Sequence, residues 1–464
     1  MDNKIENMKW LFNPGSVAVI GASDNPAKLG FHVMKSLTQG RFAGRIIPVN
    51  RTSVEIMGLK TSTSISDCSG TIDLAIIVLP SKAVPAVFRD CAAKGVKGIV
   101  LITAGFKEIE DPTGSVLHEE IGSIADEAGI PVIGPNTFGM ANFHVDLNAS
   151  FTPEFSLLKK GNICLVSQSG GISHLLGFLG MRMEVGFSKI VGLGNRLNTD
   201  FAQMVEYLVH DPDTDVIVFY IEGIEGPGAL MEAAKKYRGQ KPIIAYKTGS
   251  GRVGNEASLA HTGSMAGRHE LYTDSFSQAG ILSIDNTESL LDTAKALGNC
   301  PIPAGPNIAI LSGQAGPSMA ACDLCEAEGL KIARFAEDTQ QRVNELLPPL
   351  AMRTNPVDMG PAWYDPAAIK EILRAVMDDE NVNGILLLMM YASANIDVPN
   401  GIKDLLMEWS QKKPLIACIL APPGIWDEQI QTLERSRAMV NYPTPERAAK
   451  AMVNLWKYRK LHTG

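Results

Sequence analysis

The 464-residue sequence has no apolar stretch long enough to span a bilayer. Runs such as Leu74 to Leu79 and Ile385 to Met390 fall far short of the ~20 residues that a transmembrane helix needs. It also lacks any block of about five or six like charges. Its 42 Lys and Arg against 50 Asp and Glu leave a net charge of −8, so no footprint for a nucleic-acid backbone is present. Met1 to Trp10 carries two acidic residues and two lysines without an apolar segment, which excludes a secretory signal there and leads us to expect a cytoplasmic protein. Cysteine is sparse: seven residues, an odd number, stand scattered at 68, 91, 164, 300, 322, 325 and 418. Cys322 and Cys325 form a C-x-x-C inside a helical pattern with no second pair to complete a zinc set, so reduced, mostly buried thiols and no metal site are expected. The first βα turn, Gly21 to Gly30, lacks the G-x-G-x-x-G spacing of a dinucleotide fingerprint, which speaks against a nicotinamide dehydrogenase.

What is present is ordinary globular composition, 45% apolar and 20% charged, long enough for about three domains. The first 140 residues or so repeat a β-branched run, a Gly/Ser/Pro turn and an amphipathic stretch, which is the grammar of parallel βαβ units. Strands are expected at Val17–Ile20, Ile46–Val49, Leu74–Leu79, Gly98–Ile102 and Pro131–Ile133, giving a Rossmann-like domain over 1–145. A second α/β domain is read over 146–300, with strands at Ile163–Ser167, Lys189–Val191, Val216–Ile221, Pro242–Lys247 and Ile281–Ile284. Pro301 to Pro306, rich in Pro and Gly, reads as a linker. A third α/β domain follows over 307–464, with strands at Ile308–Leu311, Gly384–Met390 and Leu415–Leu420.

Three turns carry chemistry. In the first βα turn, Gly21 lets the backbone approach a phosphate closely, Ser23 offers a hydroxyl and Lys28 a point charge; a tight turn capped by Ser23 is the plainer alternative. Ser167-Gln168-Ser169-Gly170-Gly171 follows a strand and opens an apolar helical run. Backbone N–H groups and two hydroxyls there converge where the helix dipole is positive, although an ordinary N-cap would read alike. The segment Lys247 to Arg268 packs small residues around His261, whose imidazole, with an unperturbed pKa near ~6.5, offers a neutral nitrogen as nucleophile at pH 7. Such a ring needs an orienting carboxylate; Glu222, at the end of a strand, and Glu225 are the candidates.

The run Ser258-Leu259-Ala260-His261-Thr262-Gly263-Ser264-Met265-Ala266-Gly267 closely resembles the phosphohistidine loop in the α subunit of the NDP-forming acyl-CoA synthetases, a superfamily that includes succinyl-CoA synthetase. Leu11-Phe12-Asn13-Pro14, Gly21-Ala22-Ser23 with Lys28-Leu29-Gly30, Gly134-Pro135-Asn136, Ser167-Gln168-Ser169-Gly170, Tyr220-Ile221-Glu222-Gly223-Ile224 and Asn355-Pro356-Val357-Asp358 match in the family's order. The resemblance implies a CoA-binding Rossmann-like domain followed by two flavodoxin-like domains. It implies His261 as the phosphorylated nucleophile, Glu222 as its orienting carboxylate, and Ser167, Ser169, Gly170, Gly171 and Gly263 as the phosphate site. Gly21, Ala22, Ser23, Asp24, Lys28, Asn50, Arg51, Ile102, Thr103, Ala104 and Asn136 would line the CoA site. The family's reaction joins a carboxylic acid to CoA with ATP or GTP. Its nucleotide-grasping ATP-grasp module is absent up to residue 464, so a separate β subunit that binds the nucleotide with Mg²⁺, in an α2β2 assembly, is expected.

Four departures from the family pattern stand out. Ala260 replaces a common Ser, and Thr137 a common Cys. Ser312-Gly313-Gln314-Ala315-Gly316 replaces a more glycine-rich turn. His174 stands where succinyl-CoA synthetase has an aromatic substrate contact, and Arg196 adds a cation near the same strand ends. A guanidinium can bind an anion through two parallel hydrogen bonds, so the acid is expected to carry a second anionic group, such as a second carboxylate or a sulfonate. A CoA-binding regulator without turnover is the competing class; the intact His261 and Glu222 speak against it.

Overall fold

The structure, a computed structural model, describes residues 3–224, 226–251, 253–254, 269–409 and 411–463. The chain divides into two compact units between Thr287 and Glu288.

The first unit holds two sheets. In the first, β1 (Ser16–Ile20), β2 (Arg45–Val49), β5 (Leu74–Ile77), β6 (Gly98–Leu101) and β7 (Val132–Ile133) run parallel in the order β2-β1-β5-β6-β7. A small hairpin of β3 (Glu55–Ile56) and β4 (Leu59–Lys60) stands apart. β1, β5 and β6 are buried along their whole length, as strands covered on both faces by crossover helices must be.

In the second sheet, β10 (Lys160–Ser167), β11 (Phe187–Gly192), β12 (Val216–Ile221), β13 (Ile243–Lys247) and β14 (Leu282–Ile284) run parallel. An antiparallel hairpin, β8 (Gly139–Asn142) and β9 (Leu147–Ser150), extends that sheet through β11. The sequence reading placed the start of the second domain inside this hairpin, at 145/146. The pair escaped it because Gly, Asn and Ser weaken the strand signature of both members, and cross-strand pairing supplies what propensity does not.

One apolar core joins the two sheets, running from Val17 and Leu74 to Ile217 and Ile281. The N-terminal helix Asn3–Phe12 is built into it. Phe12 stacks on Tyr207 with ring centroids 4.8 Å apart, and its carbonyl accepts from Asn142 Nδ2 at 2.9 Å.

The second unit is a parallel sheet in the order β16 (Lys331–Ile332), β15 (Asn307–Ser312), β18 (Gly384–Met390), β19 (Leu415–Leu420), β20 (Val440–Asn441), with β17 (Val357–Asp358) also paired to β15. Helix Thr287–Asn299, which the sequence reading assigned to the domain ending at 300, is tied into this unit. Arg447 grips Asp292 with two bonds of 2.7 Å, Tyr442 donates to the Asp292 carbonyl at 2.6 Å, and Lys295 pairs with Glu434 at 2.7 Å. The expected linker at 301–306 therefore lies within the second unit, where a Pro/Gly stretch connects a helix to its own sheet.

All seven cysteines are free, and only Cys322 is not fully buried. Burial pushes the Cys91, Cys300, Cys325 and Cys418 thiols up to about 12. Among the described residues no helix is long and apolar enough to cross a membrane, and no group of three or more His, Cys, Asp and Glu could hold a metal ion.

Candidate functional site

Parallel sheets place ligands beyond the carboxyl ends of their strands, and in the first unit those ends border a cavity of about 460 Å³. It is lined by Ile102, Thr103 and Ala104 after β6, Asn136 to Phe138 after β7, Gln168 to Gly171 after β10, Gly194 to Arg196 after β11, and Glu222 after β12, with Leu29, Phe151 and His174. Residues predicted for the CoA site, the phosphate site, the substrate and the orienting carboxylate thus meet around one space.

Helix Gly170–Arg182 opens onto this cavity with Ser169 as its N-cap, the Ser169 hydroxyl accepting from Ile172 N–H at 3.4 Å. Gly170 and Gly171 bring bare backbone to the wall, where the helix dipole favours an anion. Ser167 does not reach the cavity. Fully buried, it donates to Ser169 O at 2.9 Å and accepts from Ser169 N–H at 3.1 Å, so it shapes the turn that presents the neighbouring groups.

Both His174 nitrogens are hydrogen-bonded. The Gly170 carbonyl can only accept, so Nδ1 donates to it at 2.6 Å, and Nε2 bonds the Thr152 hydroxyl at 2.6 Å. The ring packs against Phe138, Phe151, Phe155 and Phe178. With both nitrogens committed it offers an aromatic surface. Arg196, nearly buried, pairs with Asp200 at 2.7 Å while lining the cavity. Thr137 donates to Gly192 O at 2.6 Å and accepts from Gly139 N–H at 3.0 Å, so its hydroxyl closes the turn after β7.

The first βα turn and the loop after β2 form a second cluster. Gly21 has φ +97°, and a β-carbon there would collide with the Val78 carbonyl oxygen, so only glycine fits. Ser23 is buried and accepts from Asn25 N–H at 3.0 Å, Asn50 donates to Ala22 O at 2.8 Å, and Asp24 accepts from Met57 N–H at 3.1 Å. Lys28 and Arg51 are exposed. Of these predicted CoA residues none lines the cavity itself, but Leu29, next to Lys28, does. A bare-backbone turn with two exposed cations nearby has the chemistry to hold a phosphate group.

Sequence reasoning missed Phe138 and Phe151 as walls, Asn195, and Gln168, which stood unassigned inside a quoted motif. Asn195 bonds both Asn136 at 3.4 Å and, through its amide, Glu108, whose carboxylate accepts from Phe106 N–H at 3.1 Å. His261, Gly263, Ala260 and Glu225 lie outside the described residues, which resume at His269.

A CoA binding domain matches residues 15–142, and a succinyl-CoA ligase like flavodoxin domain matches 160–297. The α subunit of the ADP-forming acetate–CoA ligase II of Pyrococcus furiosus is 35% identical over 98% of both chains, and that of ligase I is 33% identical over the same shares. An ADP-forming acetate–CoA ligase of Methanocaldococcus jannaschii is 35% identical, and this chain covers 63% of its length. Among solved structures, the acetyl-coenzyme A synthetase 1 of Ca. Korarchaeum cryptofilum in complex with phosphate and ADP superposes with a TM-score of 0.91 at 33% identity, covering 98% of this chain and 97% of that one. The chain therefore belongs to the ADP-forming acid–CoA ligases, enzymes that form carbon–sulfur bonds, as a member of the α-subunit type.

Proposed function

We propose that this chain is the catalytic α subunit of a ligase that interconverts a carboxylic acid, CoA and ATP or GTP with acyl-CoA, ADP or GDP, and phosphate. The observation that carries the reading is the single cavity on which the CoA-side strand ends, the Ser169–Gly171 helix terminus and Glu222 converge. In the ATP-forming direction, phosphate held at Gly170 and Gly171 attacks the thioester carbonyl. The C–S bond breaks, and CoA leaves with an acyl phosphate remaining. A neutral His261 nitrogen then takes the phosphoryl group, releasing the carboxylate, and passes it to the nucleoside diphosphate. Glu222 accepts the proton of the other ring nitrogen in hydrogen bonding, which fixes the tautomer and stabilises the charged ring. A helix terminus contributes about 0.3–2 kcal/mol toward an anion, so positioning and exclusion of water must supply most of the acceleration.

The nucleotide and Mg²⁺ belong mainly to a separate ATP-grasp β subunit in this reading, with α2β2 as the assembly. The M. jannaschii relative, of which this chain covers 63%, is consistent with a partner that is elsewhere fused. Seven free cysteines suit a reducing, cytoplasmic setting. We also propose that the acid carries a second anionic group. Arg196 on the cavity wall supports this. Arg196→Ala should depress turnover of dianionic acids selectively, and equal turnover by mutant and wild type on every dianionic acid tested would refute it.

Incubation with the β subunit, γ-labelled ATP and Mg²⁺ tests the central step without knowledge of the acid. Acid-labile, base-stable label is expected on this chain and not on His261→Asn. No label on either, with the partner bound, would favour a CoA-binding regulator.

A further inference from the structure

Main-chain pairing between β12 and β13 ends at Ile221, whose carbonyl accepts from Thr248 N–H at 3.0 Å. Beyond that point both peptide groups of Glu222 are held by side chains from the two adjacent strand ends. On one side, Gln168 Oε1 accepts from Glu222 N–H at 2.5 Å and Gly223 N–H at 3.1 Å, and Nε2 donates to Gly223 O at 2.7 Å. On the other, Lys247, in register with Ile221, donates to Glu222 O at 2.8 Å and to Thr248 O at 2.5 Å. Both side chains are at least nine-tenths buried, at 8% and 4% exposure. The ammonium also stands 5.1 Å from the Tyr272 ring, whose hydroxyl donates to Ile224 O at 3.3 Å. Burying an ammonium opposes folding, and satisfying two strand-end carbonyls does not require one, since water or an amide would serve. A fixed cation beside the Glu222 main chain adds two things that water cannot: a rigid anchor and a charge attracting the nearby carboxylate.

We infer that Gln168 and Lys247 form a two-sided clamp that fixes the Glu222 backbone and thereby aims its carboxylate. Both are positioning residues for phosphoryl transfer, acting through Glu222, and the inference rests on the reading of Glu222 as the orienting carboxylate. A directing group works only when its own support is locked, and small misplacements are amplified in rate.

The full chain with its β subunit and Mg²⁺, supplied with γ-³²P-labelled ATP, provides the test through its rate of label uptake, which does not depend on the identity of the acid. Lys247→Met should slow uptake by about 10- to 100-fold with the KM for ATP little changed. Lys247→Arg, which keeps a charged donor, should recover part of the loss. Gln168→Leu probes the opposite jaw and keeps the test decisive if Lys247→Met does not fold. In a Glu222→Gln background the Lys247→Met effect should nearly vanish, because both act through one group. Rates that multiply in the double mutant, or wild-type rates in both Lys247→Met and Gln168→Leu, overturn the clamp while leaving the role of Glu222 intact. A wild-type rate in Glu222→Gln itself, or no uptake by the wild type, overturns the underlying reading instead.

Discussion

The turns after β10 in the first unit and after β15 in the second are built alike and equipped differently. Ser167 donates to Ser169 O at 2.9 Å and accepts from Ser169 N–H at 3.1 Å; Ser312 donates to Gln314 O at 2.6 Å and accepts from Gln314 N–H at 3.2 Å. Each turn follows a buried parallel strand and opens a 13-residue helix. The first helix has a side-chain N-cap, Ser169, and the second has none. In the first, an amide side chain grips the loop of Glu222. In the second, the Gln314 amide reaches only the Met390 main chain, at 3.4 and 3.5 Å. Gly170 borders a cavity, with Phe138 in ordinary contact distance of a β-carbon there, whereas Gly313 is capped by the Trp363 indole. The same local fold thus becomes a candidate site only where neighbouring strand ends bring a carboxylate, a helix terminus and room together.

The glycines separate the two turns most sharply. Gly313→Ala would drive its β-carbon into the indole nitrogen of Trp363, and overpacking of that kind costs about 1–3 kcal/mol, measurable by urea unfolding. Gly170→Ala meets nothing nearer than Phe138 at 3.8 Å, so its stability should stay within about 0.5 kcal/mol of wild type. Equal losses would break the contrast. The serines should instead behave alike: Ser167→Ala and Ser312→Ala each remove a fully buried hydroxyl that holds a turn, and each should lose about 1–2 kcal/mol. A large difference between them would mean that the turns are not equivalent devices.

A further effect is confined to alkaline pH. Burial, opposed in part by Glu222, lowers Lys247 to about 8 from its ordinary 10.5. Between those values the unfolded chain binds more protons at this position than the folded one, so folding stability should rise with pH across that window. Thermal unfolding of wild type compared with Lys247→Met from pH 7.5 to 10.5 would expose the gain, and parallel curves would argue against a buried ammonium.

Most strands were legible because buried parallel strands are apolar and β-branched along their length, as in Leu74–Ile77 and Val216–Ile221. The hairpin of β8 and β9 was not, since Gly139, Asn142, Asn148 and Ser150 carry no strand signature by themselves and their burial depends on β11. Among the residues that line the cavity, the Ser169–Gly171 turn could be read from its place at a strand end, whereas position left Glu222 and Glu225 as alternatives and only the family resemblance chose Glu222. Gln168 and Lys247 could not be read so, because what they do is hold another residue's backbone across strands far apart in the chain.

By itself the sequence determined the βα order and the glycines that permit close turns, because these follow from local periodicity and residue chemistry. Tertiary structure alone decided that Ser167 is consumed in shaping its turn and that the His174 nitrogens are both committed. It also decided that helix Thr287–Asn299 belongs to the second unit. Each of these depends on which groups satisfy a buried polar atom, and that is settled only when distant segments meet.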